Sequence, residues 1–356
     1  MNKNLFFILS LVCTISFSQN TLKKCNTKSN MLVFERENNI NVNQIELVTI
    51  PIHIIIVHKS SETIGEGRNV SWEQIYSQLD VLNEDFRKLN PSTNETPEEF
   101  ADVAADCMIE FCLASVDPEG NPTDGVTRYI YDSNQVSENY WEDVIAPETF
   151  WDPNYYLNIW VMRLNNNAGD GFAYMPSDGV PPFLDGVVVK DIYFGRDGSA
   201  QWPFDEGHLT THEVGHWFGV DHTWDAWDDY SCNIDDGIED TPEQYEEYYD
   251  CPSYPQYSCN SSDMFMNFMD YVDDACLTLF TEGQKELMHE IILNYRTELL
   301  NNPFGCENNV NIDAVKQQNL KSIIKKIDLL GRESLQKGLN IEIYEDGSVI
   351  KKYIIK

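Results

Sequence analysis

The sequence predicts an α+β fold followed by a small β-module. Three observations carry this. A β-rich run at residues 45–59 (IELVTIPIHIIIVHK) is followed by an amphipathic helical stretch, so strands and helices mix early in the chain. Four cysteines, Cys232, Cys251, Cys259 and Cys276, fall in a later region with little periodicity, where staples would replace regular elements. Beyond about residue 301 the composition changes, and short alternating strands resume in a basic tail.

Taken in order, residues 1–18 read as a signal peptide: Lys3, an apolar run from Leu5 to Phe17, then Ser18. Cys13 is not preceded by a small residue, which argues against a lipoprotein cleavage site. Residues 19–42 are polar and sit where a short propeptide would. In the run 45–59, Pro51 predicts a break or an edge position. Ser71 opens a helix to about Leu89, with Gln74 at the capping-box position and Ile75, Leu79, Leu82 and Phe86 as its apolar stripe. Residues 108–116, 155–164 and 187–194 read as strands, and 209–218 and 282–300 as helices. The main domain spans 43–300 and a linker 301–320. The tail, 321–356, carries strands at 323–330, 339–344 and 349–355, with Gly331, Gly338 and Gly347 as turns. No internal repeat is visible.

The chain of 356 residues has 24 Lys and Arg against 59 Asp and Glu, a formal charge of -35 that excludes an electrostatic grip on nucleic acid or anionic lipid. No Lys or Arg occurs between Arg196 and Lys285, and residues 221–250 are dense with carboxylates. That density fits a solvated acidic surface, or sites for hard cations and attraction for basic substrates. Outside the signal segment no stretch is long and apolar enough to cross a bilayer, so an exported protein without membrane insertion is expected. The other cysteines are Cys25, Cys107, Cys112 and Cys306, and the even total of eight in an exported chain suggests disulfides.

The chemistry is concentrated in H-E-V-G-H-W-F-G-V-D-H, starting at His212. His212 and His216 lie one helical turn apart on one face and so would grip one metal ion. Gly219 would take a positive φ, end the helix and turn the chain so that His222 arrives as a third nitrogen ligand. Three imidazoles and an open fourth position describe a catalytic zinc site, and Glu213 beside them is placed to take a proton from water. A zinc peptidase is expected. The alternative is a secreted, metal-containing binding protein or adhesin with a non-catalytic shell, against which the intact Glu213 speaks.

The same string, with N-F-M-D-Y at residues 267–271 as a Met-turn, resembles the metzincins. The spacing from His222 to Met269, the four cysteines, G-F-A-Y-M-P at 171–176, D-G-V-V-V at 185–189 and the D-T-P after Glu239 resemble the pappalysin family, over about residues 45–300. The resemblance implies two subdomains about a cleft, the upper ending near residue 222 and the lower spanning 223–300. The upper would hold a twisted, mostly parallel five-stranded sheet with helices, and residues 171–176 at its rim would receive substrate protein as an added strand. The lower would be irregular and stapled by Cys232–Cys259 and Cys251–Cys276. It implies Met269 beneath the zinc, Tyr271 as an oxyanion stabiliser, and a calcium ion held by Asp236 and Thr241 with backbone oxygens of Asp235 and Glu239. Cys25 would block the zinc as a propeptide thiolate, or else pair with Cys107, Cys112 or Cys306. Members that prefer basic residues carry an Asp just before the last of the four cysteines. This chain has Ala275 there, with Asp273 and Asp274 slightly earlier, so that preference does not carry over. The tail, with K-I-D-L-L-G-R-E, G-L-N-I-E-I-Y-E-D-G and a closing K-K-Y-I-I, resembles the C-terminal sorting domain of type IX secretion cargo, which implies secretion machinery as a partner.

Overall fold

A computed structural model of the chain describes Cys25, Thr27, residues 47–176, 179–224, 231–232, 236–304 and Cys306, and the strands of the tail. The signal segment and most of the expected propeptide and linker lie outside the described residues, as does Asp235. The described chain up to Cys306 belongs to one compact unit, and the tail strands to another.

The first unit is built on a sheet whose strand β1 (Val48–His58) is its longest. Helix α1 (Trp72–Phe86) follows, then β2 (Ile109–Leu113) and β3 (Val126–Ile130). Next come short helices α2 (Glu138–Tyr140) and α3 (Ala146–Thr149), joined through a π-turn at Trp141–Ile145. Strands β4 (Leu157–Met162), β5 (Gly171–Ala173) and β6 (Val187–Lys190) complete the sheet. The order is β2-β1-β4-β6-β5, all parallel except β5 against β6. Five strands were expected and six are present. The sixth, β3, pairs in parallel with the second half of β1 (Ile54 to His58), beyond the end of β2, so the two share one edge. Pro51 does not break β1. Backbone N–H groups of Val48 and Ile54 point to the β2/β3 side, so odd-numbered residues face β4. Pairing with β4 starts only at Ile52, so the missing donor of Pro51 costs no ladder bond.

Both faces of this sheet are buried, which is why β1 reads as a continuous apolar run. Ile50, Ile52, Ile54 and Ile56 enter the core shared with α1 and α4 (His208–Trp217), while Ile55 and Val57 enter the opposite core with Trp141 and Ile145. Helix α1 is capped by Ser71, whose side chain accepts from the Gln74 N–H. The Gln74 side chain does not close a capping box; it donates to the carbonyls of Asp191 and Phe194 instead. The helix ends at Phe86, short of Leu89, with Arg87 as its C-cap.

The lower region is mostly loop, with a two-stranded ribbon of β7 (Tyr257–Ser258) and β8 (Ser261–Ser262). Cys232 is joined to Cys259 and Cys251 to Cys276. Helix α5 (Glu282–Asn294) starts with a capping box between Thr281 and Gln284 and stops before Leu300, where a 3-10 turn (Thr297–Asn301) takes over. A third disulfide, Cys112–Cys306, ties the end of this unit to β2, so the first residues of the expected linker belong to the folded body. Cys25 and Cys107 are free and buried, and Cys25 pairs with none of the cysteines considered for it.

The tail forms an antiparallel sheet of β9 (Ile323–Asp328), β10 (Gly338–Tyr344) and β11 (Val349–Ile354), with β10 central. Gly338, expected in a turn, is the first residue of β10 and pairs with Ile354. Gly331 and Gly347 lie outside the described residues.

Candidate active site

Helix α4 carries the site. Its start is fixed by buried carboxylates. Asp274 accepts from the backbone N–H groups of Glu206 and His208, and Asp85 on α1 accepts from the His208 ring and the Thr211 hydroxyl. Its end is fixed by Gly219, whose φ of +83° lies in the left-handed region and reverses the chain as expected. Beyond the helix end, Asp185 accepts from the Trp217 indole and binds Arg296, whose guanidinium covers the Trp217 ring.

This frame brings His212, His216 and His222 together. Nε2 of His216 lies 3.1 Å from that of His212 and 3.0 Å from that of His222. Nδ1 of His212 donates to the Phe268 carbonyl, and Nδ1 of His216 to the Val220 carbonyl. In the neutral form each ring then carries its proton on Nδ1 and turns the lone pair of Nε2 toward the other. Burial lowers the pKa of His216 to about 4 and keeps it neutral. Lone pairs converging at 3 Å are repulsive unless a cation sits between them. The three residues thus fit a metal ion with backbone-oriented imidazoles.

Cys25 completes the group. Its Sγ and the three histidine nitrogens all lie within 4.8 Å of one another, the one such cluster among the described residues. Burial, and then the charge of Glu213, push the Cys25 thiol well above its ordinary pKa, so a thiolate there requires positive charge at the histidines. Cys25 Sγ donates to Glu213 Oε2 at 3.4 Å, and the Thr27 hydroxyl reaches the same oxygen at 3.2 Å while accepting from the Ala173 N–H at 2.8 Å. Cys25 also pairs in parallel with Gly171, extending the sheet beyond β5. The expected rim at residues 171–176 therefore includes the edge strand itself. Tyr271 lies across the site and donates to the Cys25 carbonyl at 3.2 Å; burial, then the charges of Cys25 and Glu213, raise its pKa well above 10 and keep the donor in place.

Met269 is fully buried under α4. Its Sδ lies 2.5 Å from where a Cβ on Gly215 would stand, so the helix admits this methionine only through a glycine. The turn is held by Asn267, which accepts from the Met269 N–H and exchanges side-chain hydrogen bonds with Gln284 on α5. Asp270 accepts from Gln244 and from the backbone of Tyr248 and Tyr271. In the acidic loop, Asp236 and the Thr241 hydroxyl are 2.7 Å apart. Ala275 is exposed, and Asp274 is committed to the start of α4. Sequence reasoning missed Thr27 and Gly215, because each acts through a contact distant in the chain.

Comparison with known proteins agrees with this geometry. Residues 139–293 match the family described as Pregnancy-associated plasma protein-A, a peptidase family. An extracellular metalloprotease of Colletotrichum graminicola is 30% identical over 72% of this chain and 81% of its own length. One from Verticillium alfalfae is 30% identical over 70% and 76%. Among solved structures, mature mirolysin of Tannerella forsythia in complex with a cleaved peptide is 40% identical, with a TM-score of 0.66 over 71% of this chain and 96% of that one. A promirolysin mutant from the same organism is 35% identical, with a TM-score of 0.65 over 78% and 97%. No helix among the described residues is long and apolar enough to cross a membrane, which fits relatives named extracellular. The three convergent imidazoles, the glutamate beside them and these relatives lead to one conclusion: the chain belongs to the pregnancy-associated plasma protein-A (pappalysin) family of metallopeptidases and is a metalloendopeptidase.

Proposed function

We propose that His212, His216 and His222 hold the catalytic zinc and that Glu213 is the general base of peptide-bond hydrolysis. The observation that carries this is the convergence of three Nε2 atoms, two of them on rings whose Nδ1 meets a backbone carbonyl, next to a buried carboxylate. Zinc bound there would supply Lewis acidity, polarising a substrate carbonyl and lowering the pKa of water to near 7. Glu213 takes the proton of the attacking water and passes it to the leaving amine. The Tyr271 hydroxyl, which meets the Cys25 carbonyl, is aimed to donate to the substrate carbonyl oxygen as charge builds on it. A peptide lies as an extended strand along β5, where the Ala173 N–H and the Gly171 backbone already receive the segment at Cys25 and Thr27.

Relatives of this chain include a precursor form, and the position of Cys25 supports latency by a thiolate on the same metal. The signal segment and the three-stranded tail support export through the periplasm with type IX sorting. The paired oxygens of Asp236 and Thr241 support a structural calcium in the acidic loop, joined by backbone oxygens of Asp235 and Glu239. A purely adhesive role is not favoured, since the named relatives are metalloproteases.

The test is hydrolysis of a diverse peptide library by zinc-loaded, trypsin-processed protein, beside Glu213→Ala. Chelator-sensitive cutting that disappears in the variant while its zinc content stays at one per chain is expected. Retained hydrolysis in Glu213→Ala would remove the mechanism.

A further inference from the structure

Trp224 stands two residues beyond the third histidine and is 1% exposed. Its ring lies parallel on the His222 imidazole, with centroids 4.4 Å apart and planes at 5°, and edge-on to Tyr271 at 4.7 Å. Cys25 and Tyr271 are its companions in a small buried apolar cluster, separate from both large cores. Among the described residues the indole Nε1 has no hydrogen-bond partner. Other buried indoles beside the sheet and helix are paired: Trp160 donates to the Thr149 hydroxyl and Trp217 to Asp185. Trp141 also lacks a partner, but it packs edge-on to Trp160 and Phe172 in the core on the far face of the sheet.

A buried N–H without an acceptor costs free energy, and a phenylalanine would stack on His222 without that cost. Unlike Trp141, Trp224 lies against the metal-site residues His222 and Tyr271, where a bound molecule could supply the acceptor its donor lacks. Cys25 occupies the place a substrate strand takes: it pairs with the edge strand at Gly171 and offers its carbonyl to Tyr271. With that segment gone, Trp224 borders the cleft on the side of His222. We propose that Trp224 Nε1 is a substrate-binding donor, which hydrogen-bonds a backbone carbonyl of the peptide that replaces the segment at Cys25. The acceptor is main chain, so this contact holds an extended peptide of any sequence. The proposal rests on the peptidase reading of the site.

The test measures affinity without turnover. The full-length chain carrying Glu213→Ala is loaded with zinc and processed with trypsin. It is then titrated calorimetrically with a peptide that the wild type cuts, with and without Trp224→Phe. The proposal expects binding weakened about five- to tenfold by the phenylalanine, the effect of one hydrogen bond, at unchanged zinc content. Affinity within twofold overturns it, as does a loss confined to kcat in the active background, which would leave Trp224 a prop for His222. A second reading serves if the variant misfolds. In the 15N-labelled Glu213→Ala protein, the Trp224 indole resonance, identified through Trp224→Tyr, moves downfield on peptide binding. No movement with peptide bound overturns the proposal. A wild type that cuts no peptide would sink the peptidase reading and this proposal together, whereas cutting with unchanged affinity in Trp224→Phe removes this proposal alone.

Discussion

At Gly171 one methyl group would decide whether Glu213 keeps its place. A Cβ there would stand 2.7 Å from Glu213 Oε1 and 3.1 Å from the Val188 carbonyl, so either the carboxylate or the edge strand must move. Displacements near 1 Å at a reacting group cost about a hundredfold. Gly171→Ala is therefore expected to lower kcat roughly 10- to 100-fold with zinc content unchanged, measured by steady-state kinetics and metal analysis; a normal kcat would show that the glutamate tolerates the shift. The segment at Cys25 poses the complementary question. Its thiol meets the histidines, but the Thr27 hydroxyl also meets Glu213 and the Ala173 N–H. Loss of the thiol alone leaves the base covered. In unprocessed protein, Cys25→Ala is expected to release only part of the activity of the processed enzyme, and Cys25→Ala with Thr27→Val to raise it roughly tenfold further, since hydrogen bonds to charged groups are worth about 1.5–3 kcal/mol. Equal activity of the two variants would assign latency to the thiol alone.

Among the elements, α4 depends most on buried charge. Burial by itself would lower the pKa of His208, but the Asp85 carboxylate overrides it, helped by Asp274 and Glu206, and lifts it from 6.5 to about 9. A histidine raised in this way contributes stability that is fully present below about pH 6.5 and is lost as the pH rises through about 9. The thermal midpoint should therefore fall between pH 7 and pH 10, and Asp85→Asn should start lower and lose less over that interval; a parallel decline in both proteins would place the alkaline sensitivity elsewhere. This helix was legible in the sequence because its signal is local: two histidines one turn apart, then Gly219 to end the helix. Strands β1, β4 and β6 were legible from apolar runs that both buried faces require. Strand β5 was legible only through the resemblance that set residues 171–176 at the rim, because three residues, Gly-Phe-Ala, carry no periodicity and take their place from pairing with β6. β3 (VTRYI) is only partly buried and takes its place from the free second half of β1. Pro51 misled because the ladder it would have broken begins one residue later. Thr27 escaped notice for a related reason, since its contacts with Glu213 and Ala173 exist only once distant segments meet.

For the molecule as a whole, the acidic enzyme unit closes on itself before the tail begins. Cys112 at the β2 edge and Cys306 are 194 residues apart in sequence, so their bond closes one long loop that holds every element from β3 to α5 and leaves β1 and α1 outside it. Constraint on the unfolded chain grows with the loop enclosed, and native disulfides are commonly worth about 2–5 kcal/mol. For a unit of this size each kcal/mol moves the midpoint by about 2–4 °C. Cys112→Ser with Cys306→Ser is then expected to lower the thermal midpoint by roughly 5–15 °C. Cutting the chain just after Cys306 should leave it unchanged, because the staple remains and, among the described residues, the tail strands form a sheet of their own. Scanning calorimetry on the three proteins separates the possibilities. A truncated protein that melts with the double serine variant would mean that the disulfide alone does not secure the end of the sheet.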